Sequence, residues 1–308
     1  MLSCYHKILV PLDGSATAEQ VLSHLHRWAT PSETTLVLVT VVDMTNYVVT
    51  HSRYLPPDYF TRLRAHAESY ITAQRRQLEK AGFQVEAHVV SGDAAGGILQ
   101  VATTAQVDLI AMTTHGRSGF MRWALGSVAE RIVSETPLPV FLVRETTSWR
   151  GDQLRRILVP LDGSLLAAEA LPEAVALAKA AGAELLLLQV IQPLDGRNQD
   201  ILFKDAEEAQ AAFREWQVDA AADLQQLAAP LQAEGVRCRG QVLLCDVVQT
   251  IIDTTETEAI DLLVMSTHGR TGLRRWVYGS VANKVLRGVA CPLLVIHRLP
   301  PADVTSEP

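Results

Sequence analysis

Four cysteines stand among 308 residues, at Cys4, Cys238, Cys245 and Cys291, and no two of them form a C-x-x-C pair. That scarcity excludes a disulfide framework and implies a reducing, cytoplasmic setting. Long apolar runs are missing too. Leu36–Val39 and Leu185–Leu188 have strand length, far below the roughly 20 residues that cross a bilayer. The opening residues, MLSCYHKILVPLDGS, lack the apolar core of a signal peptide. There is also no basic excess. Residues 1–150 carry 13 Lys+Arg against 13 Asp+Glu and residues 151–308 carry 14 against 21, so the net −7 belongs to the second half. A dedicated nucleic-acid binder needs clustered Lys and Arg, so that class is excluded. Aromatics make up only 6%, yet 48% of residues are hydrophobic and 20% charged, which excludes a disordered chain.

What the chain does have is a copy of itself. KILVPLDGS at 7–15 returns as RILVPLDGS at 156–164, with eight of nine residues identical. THGRSGFMRWALGSVAERIV at 114–133 returns as THGRTGLRRWVYGSVANKVL at 267–286. The offsets are 149 and 153, so this is a duplicated domain of about 150 residues, far longer than a solenoid repeat. The polar stretch Glu145–Leu154 marks the boundary. The domains are expected at 1–146 and 153–300, with a tail at 301–308.

Each copy alternates strand-like and helix-like segments. In the first, strands are expected at Ile8–Leu12, Leu36–Val42, Val85–Val90, Leu109–Thr113 and Val140–Val143. Helices are expected from Ser15, around Leu63–Leu78, and at Ala94–Ala105 and Ser127–Ser134. The second copy repeats the order. Pro172 kinks its first helix (Ala167–Ala181) or makes it start late, and its second, near Ile201–Glu234, is long and acidic. Near-continuous Val/Ile/Leu strands alternating with helices predict parallel strands covered on both faces. The fold class is therefore α/β, two tandem doubly wound domains with a five-stranded parallel sheet each.

Ligands of such sheets bind beyond the carboxyl ends of the strands, where strand order reverses. Unusual polar and glycine residues follow two strands in each copy: Pro11–Ser15 and Thr113–Gly119 in the first, Pro160–Ser164 and Ser266–Gly272 in the second. If the first and fourth strands are neighbours, these loops face one crevice.

VPLDGS after the first strand, THGR[ST]G after the fourth, and Gly-Ser separated by nine residues from Gly116 or Gly269 together resemble the universal stress protein family. The resemblance covers both halves and nearly the whole chain. It implies a sheet order of 3-2-1-4-5 and, in many members, a bound adenine nucleotide (ATP, ADP or AMP, with or without Mg). It also implies a part in stress survival and dimers, either a homodimer or a pseudo-dimer of the two halves. The family's nucleotide pattern is Gly, two residues, Gly, nine residues, Gly-Ser/Thr. Gly116, Gly126 and Ser127 match it in the first copy, as do Gly269, Gly279 and Ser280 in the second; Thr113 and Ser266 replace the first glycine. The added bulk weighs against a triphosphate and less against a shorter nucleotide. By the same resemblance Asp13 and Asp162 meet a ribose hydroxyl or a phosphate-bound cation. Backbone groups of Val41 and Val190, just after the second strands, meet adenine. Arg117 and Arg270 bring charge to phosphate. Pro11, Ser15, Met112 and Val128, with Pro160, Ser164, Met265 and Val281, complete the two sets.

Plainer roles compete with these. Ser127 opens Ser-x-x-Glu with Glu130, a capping box, but the second copy has Asn283 there and still keeps Gly-Ser, which favours anion contact at the helix start. Asp13 and Asp162 serve equally as turn residues. His115 and His268 have no carboxylate or nucleophile at a fixed spacing in both copies, and the nine histidines do not cluster for a metal. Trp123 and Trp276 read as packing residues. The leading expectation is an adenine-nucleotide-binding stress or signalling protein without rapid chemistry, at most slow ATP hydrolysis. The alternative is an interaction module with degenerate pockets. An ATP-consuming enzyme needs a Ser-Gly-Gly loop or a His-x-Gly-His pair, and neither is present. Gly92 in the first copy corresponds to Cys245 in the second, which predicts that the first half binds at least as well.

Overall fold

The computed structural model describes residues 4–43, 58–114, 125–144, 153–193, 202–267 and 280–297. The chain divides into two compact units, one built around each half.

The first half runs β1 (Lys7–Pro11), α1 (Ala16–Trp28), β2 (Thr35–Val42), α2 (Tyr59–Lys80), β3 (Gln84–Ser91), α3 (Ala94–Thr104), β4 (Leu109–Thr113), α4 (Ser127–Glu135) and β5 (Val140–Val143). Its strands are parallel and lie in the order β3-β2-β1-β4-β5. Ile8, Leu9, Leu36, Leu38, Leu109 and Ile110 are fully buried in the sheet. Trp28, at the end of α1, packs on Phe141 with ring centroids 4.7 Å apart. Such runs bury both faces of each strand, the condition for a parallel sheet under helices.

The second half repeats the plan. It comprises β6 (Arg156–Leu161), α5 (Leu165–Ala168), α6 (Leu171–Ala181), β7 (Glu184–Ile191), α7 (Ala206–Ala233), β8 (Cys238–Leu244), α8 (Val247–Thr257), β9 (Leu262–Ser266), α9 (Ser280–Gly288) and β10 (Leu293–Ile296). The strands are again parallel, ordered β8-β7-β6-β9-β10. The single helix α1 of the first half is here split into α5 and α6. Pro172 stands in the first turn of α6; it has no N–H for the residue 168 carbonyl and its ring crowds that position. Both outcomes expected of Pro172 thus come from one proline. The acidic helix α7 starts at Ala206, because the Asp205 carboxylate accepts from the N–H groups of Glu207 and Glu208 at 3.0 and 2.9 Å.

Proline also shapes the switch point. Leu12 N–H donates to the Val39 carbonyl on β2 at 2.9 Å. Successive N–H groups alternate in direction, so the Pro11 nitrogen faces β4 and has no hydrogen to give. Pairing of β1 with β2 runs to Pro11↔Val39, whereas pairing with β4 ends at Leu9↔Ile110. Pro160 holds the same place, and β6–β9 pairing ends at Leu158↔Leu263. Beyond those pairs the central strands β1 and β6 no longer pair with β4 and β9.

Candidate functional site

The Asp-Gly-Ser turn after the first strand has the same geometry in both halves. Asp13 Oδ1 accepts from the Ser15 N–H at 2.9 Å and from its hydroxyl at 2.6 Å. The Ser15 hydroxyl in turn accepts from the Ala18 N–H at 3.1 Å and caps α1. Asp162, Ser164 and Ala167 repeat these contacts at 3.0, 2.5 and 3.1 Å. Gly14 and Gly163 sit between them at φ of 83° and 78°, a backbone region open to glycine. One carboxylate oxygen of each aspartate therefore shapes the turn.

In the first half, Met112 and Thr113 end β4 and are buried. Gly126 N–H donates to the Thr114 carbonyl at 2.8 Å and ties the start of α4 to the residue after β4. Gly126 itself occupies the cap position of α4, so Ser127 is the first helical residue and Val128 the second. The capping-box reading of Ser127 and Glu130 is corrected by that one-residue shift: the box requires serine at the cap. Val41 and Val190 lie inside β2 and β7, paired with Val90 and Leu243, which corrects their description as following the strands and, for Val41, agrees with the strand expected at Leu36–Val42. The Val41 side chain is spoken for, since a Cβ on Gly97 of α3 would lie 3.1 Å from its Cγ2. Gly92 N–H donates to the Val42 carbonyl at 3.1 Å, and Cys245 N–H makes the same bond to Ile191 at 3.1 Å, so this turn survives loss of its glycine. Gly116, Arg117, Gly269, Arg270 and Gly279 lie outside the described residues, as do His115, His268, Trp123 and Trp276.

The second half contains a cavity of about 340 Å³ above the carboxyl ends of β6 and β9, inside the usual range of small-molecule sites. Pro160, Asp162 and Ser164 line it from the first loop, and Val190 from β7. Met265 and Ser266 line it from β9, and Ser280 and Val281 from the start of α9. All the second-copy residues singled out above and described are thus brought together. The Ser266 hydroxyl donates to the Leu166 carbonyl at 2.7 Å and ties β9 to the short helix α5. The sequence reading missed Leu161, Leu166, Ala167, Leu188, Val247, Ile251 and Ala282. Leu188 shares a strand face with Val190, and Val247 and Ile251 share a helix face, but both patterns also describe ordinary core.

A tyrosine overhangs the first-half turn. Tyr70 of α2 donates its hydroxyl to Glu19 Oε1 of α1 at 2.8 Å, and Gln74 Nε2 donates to the same oxygen at 2.9 Å. Burial first, then Glu19 and Asp13, push the phenol pKa well above its ordinary value, against a Gly14 backbone contact that lowers it. Nothing in sequence spacing pointed to this contact between helices. Among the described residues no group of three His, Cys, Asp or Glu side chains is placed to hold a metal, and no helix is long and apolar enough to cross a membrane.

Fold and repeat define a duplicated doubly wound α/β protein, with a cavity at the switch point of its second half. The model of the universal stress protein family matches residues 5–144 and again 153–297, so the chain belongs to that family as a tandem, two-domain member. Universal stress protein MJ0531 of Methanocaldococcus jannaschii is 30% identical over 141 residues, 46% of this chain and 83% of that protein. Universal stress protein Sll1388 of Synechocystis is 31% identical over 157 residues, 46% of this chain and 97% of that protein. A universal stress protein of Archaeoglobus fulgidus shares the fold at a TM-score of 0.71 and 22% identity, over 95% of this chain and 98% of its own.

Proposed function

We propose that the chain binds an adenine nucleotide (ATP, ADP or AMP) at the carboxyl ends of the first and fourth strands of one or both halves. It serves stress response or signalling in the cytoplasm, without rapid chemistry. The observation that carries this reading is the second-half cavity, where Asp162, Ser266 and Ser280 arrive from three separate stretches of chain at one concave site. Its polar groups suit a bound molecule. The Asp162 carboxylate is an acceptor for ribose hydroxyls, and the first N–H groups of α9 are directed donors at the positive end of a helix. The apolar wall of Leu188, Val190, Val247 and Ile251 suits a flat base. Calorimetric titration of the full chain with ATP, ADP and AMP tests the reading. Saturable heat with at least one of them is expected, and no heat with any of the three overturns it.

A further inference from the structure

We infer that the outer edge of the first half's sheet takes up an extended acidic segment of a partner protein, which adds to β3 as a further strand beside the arginines of α2. β3 pairs with β2 from Thr35↔Gln84 to Val42↔Ser91, and with no strand on its other side among the described residues. In a parallel pair one residue turns both its N–H and its C=O to the neighbour, and the next turns both away. Gly92 N–H donates to the Val42 carbonyl, so Val90, His88 and Glu86 also face β2. Ala87 and Val89 therefore hold their backbone groups outward, and both residues are half-exposed. Neither proline nor lysine, the usual guards of an edge, occurs in the strand QVEAHVVS.

The side chains of Ala87 and Val89 floor a groove of about 510 Å³ together with Ile71 of α2. Arg64, Arg75 and Arg76 wall it, with Glu68 and Glu79 between them. Arg64 and Arg75 commit only Nε to those carboxylates, at 2.8 and 2.7 Å. Their terminal nitrogens remain for a second acceptor, and Arg76 bonds no carboxylate among the described residues. Such planar donors match further carboxylates. The second copy has no such rim. With the helices aligned on Gly82 and Gly235, Gln217, Ala228 and Ala229 stand for the three arginines, and Ala221 and Gln232 for the two glutamates.

Charge names the occupant. A strand added to β3 places every second side chain on the α2 face, where carboxylates meet the unspent guanidinium N–H groups. Its other side chains lie beside Glu86, which disfavours a second acid there. Backbone bonds to Ala87 and Val89 supply affinity, and the alternate carboxylates supply selectivity. A second copy of β3 fits poorly, because antiparallel pairing about a twofold axis brings two arginine rims together.

The test is fluorescence polarisation of a labelled peptide, Glu-Val-Glu-Val-Glu-Val-Glu, titrated with the full chain. Saturable binding is expected, weakened at least tenfold when lysine replaces every glutamate. A peptide of the same composition in block order, with the four glutamates first, is expected to bind at least fivefold more weakly, since its acids no longer share a face. Arg75→Ala with Arg76→Ala, which installs the second-copy residues at exposed positions, should weaken binding at least tenfold. Val89→Pro removes an outward N–H while leaving the bonds to β2 in place, and should weaken it at least fivefold. No saturable binding overturns the proposal, as does a lysine peptide that binds as tightly or an unchanged affinity in the arginine variant. Equal binding of the block-order peptide, a comparison that needs no folding of Val89→Pro, reduces the contact to charge alone and overturns strand addition. Self-association of the chain that Val89→Pro abolishes makes a second copy the occupant and overturns it too.

Discussion

The Ser266 hydroxyl reaches the main-chain carbonyl of Leu166 across 2.7 Å, one hundred residues away in sequence. It spans the switch point, from the last residue of β9 to the first turn beyond the Asp162–Ser164 loop. The helix it holds, α5, has only four residues, so few other bonds fix its position.

Two substitutions at 266 separate the bond from the bulk. Ser266→Ala and Ser266→Gly each remove one hydrogen bond and are expected to cost about 1 kcal/mol, seen as a melting temperature lower by about 2–4 °C. Only Gly also removes the Cβ, so only Gly is expected to raise affinity for ATP relative to AMP. Equal ligand profiles for the two variants would show that bulk at 266 is irrelevant.

A pair of aspartates at the other end of the sheet offers a contrast. Asp261 Oδ2 accepts from the N–H groups of Arg155 and Arg156 at 2.8 and 3.0 Å. Asp108 does the same for His6 and Lys7 at 2.7 and 3.0 Å. Each fixes the start of its central strand. Asp261→Ala leaves two N–H groups without their charged acceptor and is expected to destabilise by about 2–3 kcal/mol. Because the cavity lies at the opposite end of β6, ligand affinity of the folded protein should stay within twofold. Urea unfolding and calorimetry read the two effects separately.

Much of this was legible in sequence. The strands announced themselves as continuous apolar runs, because a parallel sheet buries both faces, and the duplication marked the loops that matter. Pro172 predicted the break between α5 and α6, and the turn reading of Asp13 and Asp162 matches the bonds that their carboxylates accept from Ser15 and Ser164. Val190 was placed just past the apolar run Leu185–Leu188, because β7 continues through Gln189–Ile191 by pairing with β8, which no run of apolar residues announces. The α8 wall of the cavity was invisible for a different reason: Val247 and Ile251 have helical spacing, and a ligand wall and a core face then look alike. The Ser266–Leu166 and Tyr70–Glu19 bonds join residues that no local pattern relates.

Helix ends carry a stabilising opportunity. Gln106 and Ala259, at equivalent places after α3 and α8, have φ of 51° and 50°. Both close a Schellman turn, with Val107 N–H bonded to Ala102 O and Ile260 N–H to Thr255 O. Gly182 and Gly235 fill such left-handed positions elsewhere in the chain. Ala259→Gly is expected to stabilise by about 0.5–1 kcal/mol, the relief of Cβ strain less the added freedom of the unfolded chain. A lower denaturation midpoint would contradict it.

Tyr70 makes the two halves unequal. Tyr70→Phe removes the proton shared with Glu19 and is expected to cost about 1 kcal/mol, a hydrogen bond to a charged group discounted for its partly exposed setting. The position of Glu19 is Ala168 in the second copy, which has no carboxylate to accept such a bond. Nucleotide binding that is lost in Asp162→Ala should therefore be unaltered by Tyr70→Phe, and a joint change would argue against separate sites.

Acid should unfold the chain through buried imidazoles. His24 on α1 is buried beside Phe141, and burial first, then Arg27, lowers its pKa from 6.5 to about 4. Burial lowers His297 to about 4 as well. An unfolded chain takes up these protons near pH 6.5, whereas the folded chain does so only near 4. The unfolded state thus binds more protons between the two values, and stability falls as pH drops through that window. Each histidine contributes up to about 1.4 kcal/mol per pH unit there. Above pH 7 neither contributes a slope, because both states are then neutral. His24→Leu removes one of the two contributions, so the fall in stability between pH 6.5 and 4.5, measured by urea unfolding, should be visibly shallower than in the unsubstituted chain. An identical slope would mean that His24 already takes up its proton in the folded protein near its ordinary pKa.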